Sequence, residues 1–578
     1  GHVCTDLATV RETVAVDADL PTDPQGLSWP RVRDWIDGLL GSPLVAAGDD
    51  AAGDRPLRLV GTRLYLDRYW RQERQVAADL RARAQEPASV VDAEVLAAGL
   101  ARLFDGEQPD HQRLAAASAV LRRFAVVAGG PGTGKTTTVA RILALLDEQA
   151  SAAGAPPPRM ALAAPTGKAA ARLQEAVHLE SATLDVSQAV RARLRDLEAS
   201  TLHRLLGWRP DSRSRFRHHH ANRLPHDVVV VDEASMVSLS LMAKLVEAVR
   251  AGARLVLVGD AEQLASVEAG AVLGDIVGPC SQGLVLRSEA RASLARVVGH
   301  DVEAAQPRAG VVIADGIVVL RRVHRFGGGI AALAQAVRQG KADTVVEVLR
   351  TGSDDVRWIE VDVAEDAGRH ALAPVREAVV DAGRHVLDAA GAGDARAALE
   401  GLAAIRVLCA HRRGPYGVVA WRAQVEGWLA GAIGGYGAGG GWYVGRPLLV
   451  TANDYGLQLY NGDIGVVVAT GDGRFPAVFE RRGELVEVSP TRLAAVETVH
   501  AMTVHKSQGS QFESVAVLLP DPTSPILTRE LLYTAVTRAR QRLILVGGES
   551  SVRTAVDRPI ARASGLREAL WSQDPHDV

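Results

Sequence analysis

The sequence predicts an α/β protein with two parallel-sheet bodies, a small and mostly helical segment ahead of them, and a small antiparallel β-barrel inserted into the second. Three observations predict this. Phe124 to Leu146 reads as an apolar strand, a glycine-rich turn and then a helix. From Asp110 to about Gly278, strand-like apolar runs alternate with helical periodicity, the pattern of a parallel sheet covered by helices. Between Arg446 and Val488, short apolar runs are separated by Asn461-Gly462 and Gly471-Asp472-Gly473, which are hairpin turn signals.

The glycine-rich turn is Gly129-Gly130-Pro131-Gly132-Thr133-Gly134, followed by Lys135, Thr136 and Thr137. This is a complete Walker A pattern in the strand–loop–helix setting it requires. Glycines let backbone N–H groups turn inward around a phosphate, and the helix that follows points its positive end at the same place. Lys135 has the length to reach β- and γ-phosphates, and the Thr136 hydroxyl can ligate Mg²⁺. A chance glycine turn would lack the flanking strand and the amphipathic helix with Val139, Ile142, Leu143 and Leu146 on one face. The expected cofactors are ATP and Mg²⁺.

Composition bounds the remaining possibilities. The 578 residues exceed one hydrophobic core, and 47% apolar with 23% charged residues is ordinary for a soluble globular protein. A formal charge of −3 provides no global basic field, so nucleic acid would have to be met by a local groove. Of the 65 basic residues only five are lysine, at positions 135, 168, 244, 341 and 506, and three of those fall in motifs. Cys4, Cys280 and Cys409 show no metal spacing. No run is apolar and long enough to span a bilayer and no signal peptide is visible, so a cytoplasmic protein without membrane contact is expected.

Along the chain, residues 1–105 carry no nucleotide motif. Arg68–Ala84 and Val91–Phe104 have helical spacing, and the Asp105–Pro109 turn closes the segment. The first body places strands at Phe124–Ala128, Arg159–Ala164, Asp227–Val231 and Arg254–Val258. Residues 279–316 show weak periodicity and read as a surface insertion. A second α/β region follows from Ile317, with strands at Ile405–Ala410, Glu513–Leu519 and Arg542–Val546. His218–His220 has no acid or cysteine companions in sequence and reads as a loop tip rather than a metal site.

Further strings carry chemistry. Val228–Val231 runs into Asp232 and Glu233, a Walker B pair in which Asp232 suits the Mg²⁺ shell and Glu233 suits polarising an attacking water. Gln263 follows the next strand, where an amide can sense a γ-phosphate. Thr166, Lys168, Thr201 and His203 offer hydroxyls, an ammonium and an imidazole at strand ends away from the ATP loop, donors suited to the phosphates of a single strand. Late in the chain come Thr503-Val-His505-Lys506-Ser507-Gln508-Gly509 and Tyr533-Thr-Ala-Val-Thr537-Arg538. Arg538 and Arg325 are candidate arginine fingers, although any single arginine in so arginine-rich a chain reads equally as a solvated surface residue.

In this order the strings resemble those of the superfamily-one DNA helicases, RecD-like branch, over roughly 110–278 and 317–550. The resemblance implies two RecA-like motor domains, at 106–316 and at 317–440 plus 496–578, with an SH3-like barrel at 441–495. It assigns Gln112 to the adenine, Lys135, Asp232, Glu233, Gln263, Arg325 and Arg538 to the ATP site, and Thr166, Lys168, Thr201, His203, Thr503, His505 and Ser507 to single-stranded DNA. Gln511-Phe512-Glu513 departs from the usual Glu-Phe-Asp. The short leading segment, at 1–105, resembles that of subunits of RecBCD-type helicase–nucleases and implies docking to RecC-like and RecB-like partners in a heterotrimer. Tyr65, Tyr69, Trp70 and Arg74 are the candidates for that surface. The resemblance further implies 5′→3′ travel and a place in double-strand break repair. Two alternatives remain: a stand-alone helicase, or a scaffold subunit with weak ATPase. The intact ATP motif residues argue against the scaffold.

Overall fold

The computed structural model describes residues 2–13, 28–48, 54–86, 91–104, 110–209, 215–266, 268–323, 328–365, 370–437, 440–454, 456–481 and 483–572. Two parallel sheets organise them. The first has six strands in the order Ile317–Leu320, Phe124–Gly129, Arg254–Gly259, Val228–Val231, Met160–Ala164, Ala199–Thr201. Every residue of Phe124–Gly129 and Val228–Val231 is buried, as expected of central strands covered on both faces. The four strands read from sequence are present. The two edge strands were missed: Ala-Ser-Thr has no apolar run, and Ile317–Leu320 follows a stretch that masked its affiliation.

That last strand corrects the boundary at 316/317. Ile317–Leu320 pairs in parallel with Val126–Gly129, so the second body begins after it. The surface-insertion reading of 279–316 is also corrected. Helix Ser288–Val298 buries Ala290, Leu294, Val297 and Val298 in the same core as Leu96, Leu100 and the helix behind the glycine loop. Arginines at 287, 291 and 296 broke up the periodicity in sequence without disturbing that apolar face.

Among the described residues the first hundred are mostly helical, as the sequence predicts, and they also carry a small sheet. They form a four-stranded sheet, Cys4–Asp6, Arg63–Leu66, Leu57–Val60, Val45–Ala47, with helices Val32–Leu40, Asp67–Gln85 and Ala93–Leu103. Leu57–Val60 is legible as a strand in sequence, while the other three, of three or four residues, are too short to show alternation. Nor is this segment separate from the first body. Asp67–Gln85 packs along helix Leu239–Ala248, where Arg83 Nη2 donates to the Val249 carbonyl at 2.7 Å and so satisfies the C-terminal end of that helix. The Asp105–Pro109 turn lies outside the described residues.

The second sheet has the order Val356–Ile359, Ala539–Val546, Phe512–Leu518, Ile405–Cys409, Ala501–Thr503, all parallel. Between Ile405–Cys409 and Ala501–Thr503 the chain leaves to form a five-stranded antiparallel sheet, Glu484–Val488, Ala477–Arg481, Ile464–Val467, Pro447–Val450, Val496–Thr498. Its outer strands do not pair with each other among the described residues, so the expected barrel is an open sheet in its hydrogen bonding. The C-terminal segment returns to the first body: Trp571 Nε1 donates to the Asp275 carbonyl at 3.0 Å and Arg562 Nη1 to the Ser266 carbonyl at 2.6 Å. A second-body assignment of everything after 496 therefore stops short of this tail.

Candidate nucleotide site and strand-facing cavity

The glycine loop leaves its strand at Gly129 and enters helix Lys135–Ala152 through Gly134, whose φ of 82° is left-handed. A Cβ there would stand 2.2 Å from Gln112 Nε2, so glycine is required by space as well as by backbone. No side chain caps the helix start, which leaves its first amides directed at the loop. The Lys135 ammonium donates to the Gly129 and Gly130 carbonyls at 2.7 and 2.9 Å, and Thr133 Oγ1 donates to the Gly130 carbonyl at 2.9 Å. Gln112, the residue expected at the adenine, sits in the first turn of helix His111–Leu121 and donates Nε2 to the Thr133 carbonyl at 3.0 Å. Asp110 caps that turn, accepting from Gln112 N at 2.9 Å.

The Walker B carboxylates close the other side. Glu233 has a φ of 51°, a left-handed conformation that costs energy for a side chain of this kind and is held by Glu233 N donating to Asp232 Oδ1 at 2.8 Å. Burial pushes the Asp232 carboxyl up to about 7, with the Glu233 charge adding to the rise and Lys135 opposing it. Thr136, Asp232 and Lys135 thus supply a hydroxyl, a carboxylate and a cation about one uncapped helix terminus. This donor set fits a triphosphate with a hard, oxygen-ligated cation.

Gln263 is buried and donates Nε2 to Asp260 Oδ2 at 2.9 Å. The next residue reaches the second body: Leu264 N donates to Thr534 Oγ1 at 2.9 Å, and Gln508 Nε2 donates to the Leu264 carbonyl at 2.6 Å. Arg538 lies in the second body, 3% exposed, with Nε donating to the Thr534 carbonyl at 3.0 Å and Nη1 to the Ser510 carbonyl at 3.2 Å. Arg325 lies outside the described residues. Tyr533 and Gln508 were not singled out in sequence for any role at this site; each stands within a motif string, but their contacts cross between bodies.

The residues expected to meet a strand are only partly brought together. Lys168 and Thr201 line a cavity of about 770 Å³ with Arg172, Arg406 and Tyr460, between helix Gly167–Thr183, the inserted sheet and the second body. Burial, and then Arg172, push the Lys168 ammonium down to about 7, with Asp463 opposing. Tyr460 of the inserted sheet lies so close over Gly167 that a Cβ there would meet Tyr460 Cγ at 2.6 Å. Thr166 and Thr201 each cap a helix, accepting from Ala169 N and Arg204 N at 3.2 Å. His203 is exposed beside Phe216, outside the cavity wall, and Thr503 accepts from Lys506 N at 3.2 Å. His505 is half-buried, with burial and Arg562 holding its imidazole below the usual range. Ser507 is corrected: fully buried, it donates its hydroxyl to the Val504 carbonyl at 2.7 Å and serves the turn, not a surface. Glu513, at the departing Gln-Phe-Glu motif, is exposed, while Phe512 is buried.

Known proteins match this chain along most of its length. Residues 112–269 match an AAA domain, residues 498–546 a UvrD-like helicase C-terminal domain, and residues 1–65 the N-terminal domain of RecBCD enzyme subunit RecD. The chain is 51% identical to RecBCD enzyme subunit RecD of Mycolicibacterium smegmatis, over 99% of this chain and 91% of that protein. It is 49% identical to the subunit of the same name from Mycobacterium tuberculosis (strain H37Rv), over 99% and 89%. ATP-dependent RecD2 DNA helicase of Deinococcus radiodurans is 30% identical over 92% of this chain and 60% of its own length. The chain belongs to the RecD family of RecBCD enzyme subunits.

Proposed function

We propose that the chain is an ATP-driven DNA helicase motor that works as the RecD-type subunit of a RecBCD-like helicase–nuclease in double-strand break repair. One observation carries the reading: the phosphate loop of the first body lies directly against helix Arg529–Val536 of the second, so a nucleotide bound there touches both. Binding and release can then change the spacing of the bodies, and a strand held across both is moved. Mg²⁺ on Thr136 and Asp232 would neutralise charge developing on the phosphates. Lys135 would hold the β- and γ-oxygens, and Glu233 would orient water. Lys168 and Thr201 offer phosphate contacts without base readout. The proposed travel is 5′→3′. A duplex with a 5′ single-stranded tail should be unwound with ATP; unwinding that starts only from a 3′ tail would overturn this polarity.

The partners follow the same reading: RecC-like and RecB-like subunits. Tyr65 is 2% exposed and Trp70 lies under the Arg58 guanidinium at 3.9 Å, so these two do not form the docking face. Leu40 and Leu44, 47% and 55% exposed beside helix Val32–Leu40, point outward instead. Leu40→Asp with Leu44→Asp should leave ATP turnover unchanged and abolish co-purification with the two partners. Retained assembly at full affinity would place the docking face elsewhere on the chain, whereas a wild-type chain that co-purifies with neither partner favours a stand-alone helicase.

A further inference from the structure

We propose that Arg406 is a strand-binding residue: from the second body, its guanidinium supplies the positive charge that holds one backbone phosphate in the cavity it shares with Lys168 of the first. This rests on the strand-moving reading above. Arg406 is the second residue of strand Ile405–Cys409 and is 2% exposed, on the same face of the strand as buried Leu408. It lines the cavity of about 770 Å³ together with Lys168 and Arg172. Its Nη1 donates to the Val499 carbonyl, and its Nη2 donates at 2.9 Å to the Leu402 carbonyl in the last turn of helix Ala395–Ala404. Its Cζ stands 5.2 Å from the centre of the Phe512 ring. Nε has no hydrogen-bond partner, and among the described residues no carboxylate pairs with the guanidinium.

A buried guanidinium held only by neutral carbonyls is costly, and a methionine or leucine would fill the same space without that cost. Burial pushes it down only to about 10, so the charge is present at neutral pH. The neighbouring cation feels it: Lys168, pushed down by burial and then by Arg172, is lowered further by Arg406, with Asp463 opposing. Two of the carboxylates along the cavity are engaged elsewhere. Asp463 Oδ2 accepts from Tyr460 N at 2.8 Å, and Glu480 Oε1 lies 3.5 Å from Arg396 Nη1. Cations of both bodies thus act on one space, and an anion that enters it relieves their repulsion. A phosphodiester brings that charge and the oxygens that Nε lacks. It is the same at every nucleotide, so the contact suits a strand of any sequence.

Binding of a fluorescent oligothymidylate to the full chain, over a series of salt concentrations, tests this. Arg406→Gln should weaken binding about tenfold and reduce the slope of log affinity against log salt by about 0.7, the share of one phosphate on a single strand. Arg406→Lys keeps the charge without the planar fork and should retain the wild-type slope. An abasic strand should show the same loss in Arg406→Gln as the oligothymidylate, since no base is read. An arginine that serves only the packing would lower the melting temperature in both variants and leave the slope in Arg406→Gln at the wild-type value; that result overturns the inference. If Arg406→Gln does not fold, a reduced slope in Arg406→Lys overturns it equally. A loss confined to strands that carry bases overturns the phosphate assignment. Failure of the wild-type chain to bind the oligonucleotide at all removes the strand reading itself, and this inference with it.

Discussion

In the first sheet, one strand ends in the phosphate loop and a second in two carboxylates; no strand of the second sheet ends in either. The second sheet instead sends a helix, Arg529–Val536, and a turn, His505–Ser507, to the first body. It is also the sheet the chain leaves to build the antiparallel insertion that reaches Gly167. The first body, meanwhile, collects both ends of the chain, the leading segment and the C-terminal helix Leu566–Trp571. Two sheets of one topology class are thus divided in use. On the proposed function, the first would hold the reacting groups and the second what positions them. A motor needs that division, because groups that must move relative to each other cannot share a core.

Four measurements test the division, from the largest effect to the smallest. Lys135→Ala removes the cation of the first body and should take ATP turnover down by about 10³ or more, to background, in a steady-state phosphate-release assay. Turnover near the wild-type rate would mean that the loop is not the reaction site.

Arg538→Ala asks whether the second body supplies charge or only packing. Its guanidinium is bonded to carbonyls of its own body, so a finger role requires those bonds to be exchanged on closure. Turnover should fall on the order of 10³ with nucleotide affinity nearly unchanged. A variant that loses thermal stability yet keeps turnover per folded molecule assigns Arg538 to the core.

Glu73 probes the seam between the leading segment and the C-terminal tail. Its carboxylate accepts from Ser564 Oγ at 2.6 Å and from Gly565 N at 3.1 Å, yet burial raises it from 4.5 to about 7. The folded state therefore binds a proton that the unfolded state releases. The stability this contributes is fully present below 4.5 and is lost as pH rises through about 7, on the order of 3 kcal/mol in total. Glu73→Gln should flatten the fall in melting temperature between pH 5 and 8. An identical slope in wild type and variant would show that the carboxylate is solvated.

Thr534→Val is the mildest. The threonine is fully buried, and its loss leaves Leu264 N without the Oγ1 acceptor, at a cost of about 1–2 kcal/mol and a few degrees of melting temperature. No change in either would mean that the bodies are not joined through this bond.

The phosphate loop, the Walker B carboxylates and the central strands were determined by the sequence alone, because each is a local pattern. Glycines at 129 and 134 with Lys135, or four valines before Asp232, state their chemistry within a few residues. The Arg-rich helix Ser288–Val298, the strand Ile317–Leu320 and the three-residue strand Ala199–Thr201 were decided by tertiary structure. Their partners lie far off in the chain, and a short strand joins a sheet because its neighbour supplies the hydrogen bonds. The same reason separates the site residues. Gln263 could be placed after a strand from its string, but its bond to Asp260, and that of its neighbour Leu264 to Thr534 some 270 residues away, are set by the fold. Ser507 shows the converse: its string pointed to a surface, and only the folded turn revealed that the Val504 carbonyl accepts its hydrogen bond. Sequence carries what bonded neighbours can do, while contact between distant segments is set by how apolar faces and buried hydrogen bonds are satisfied together.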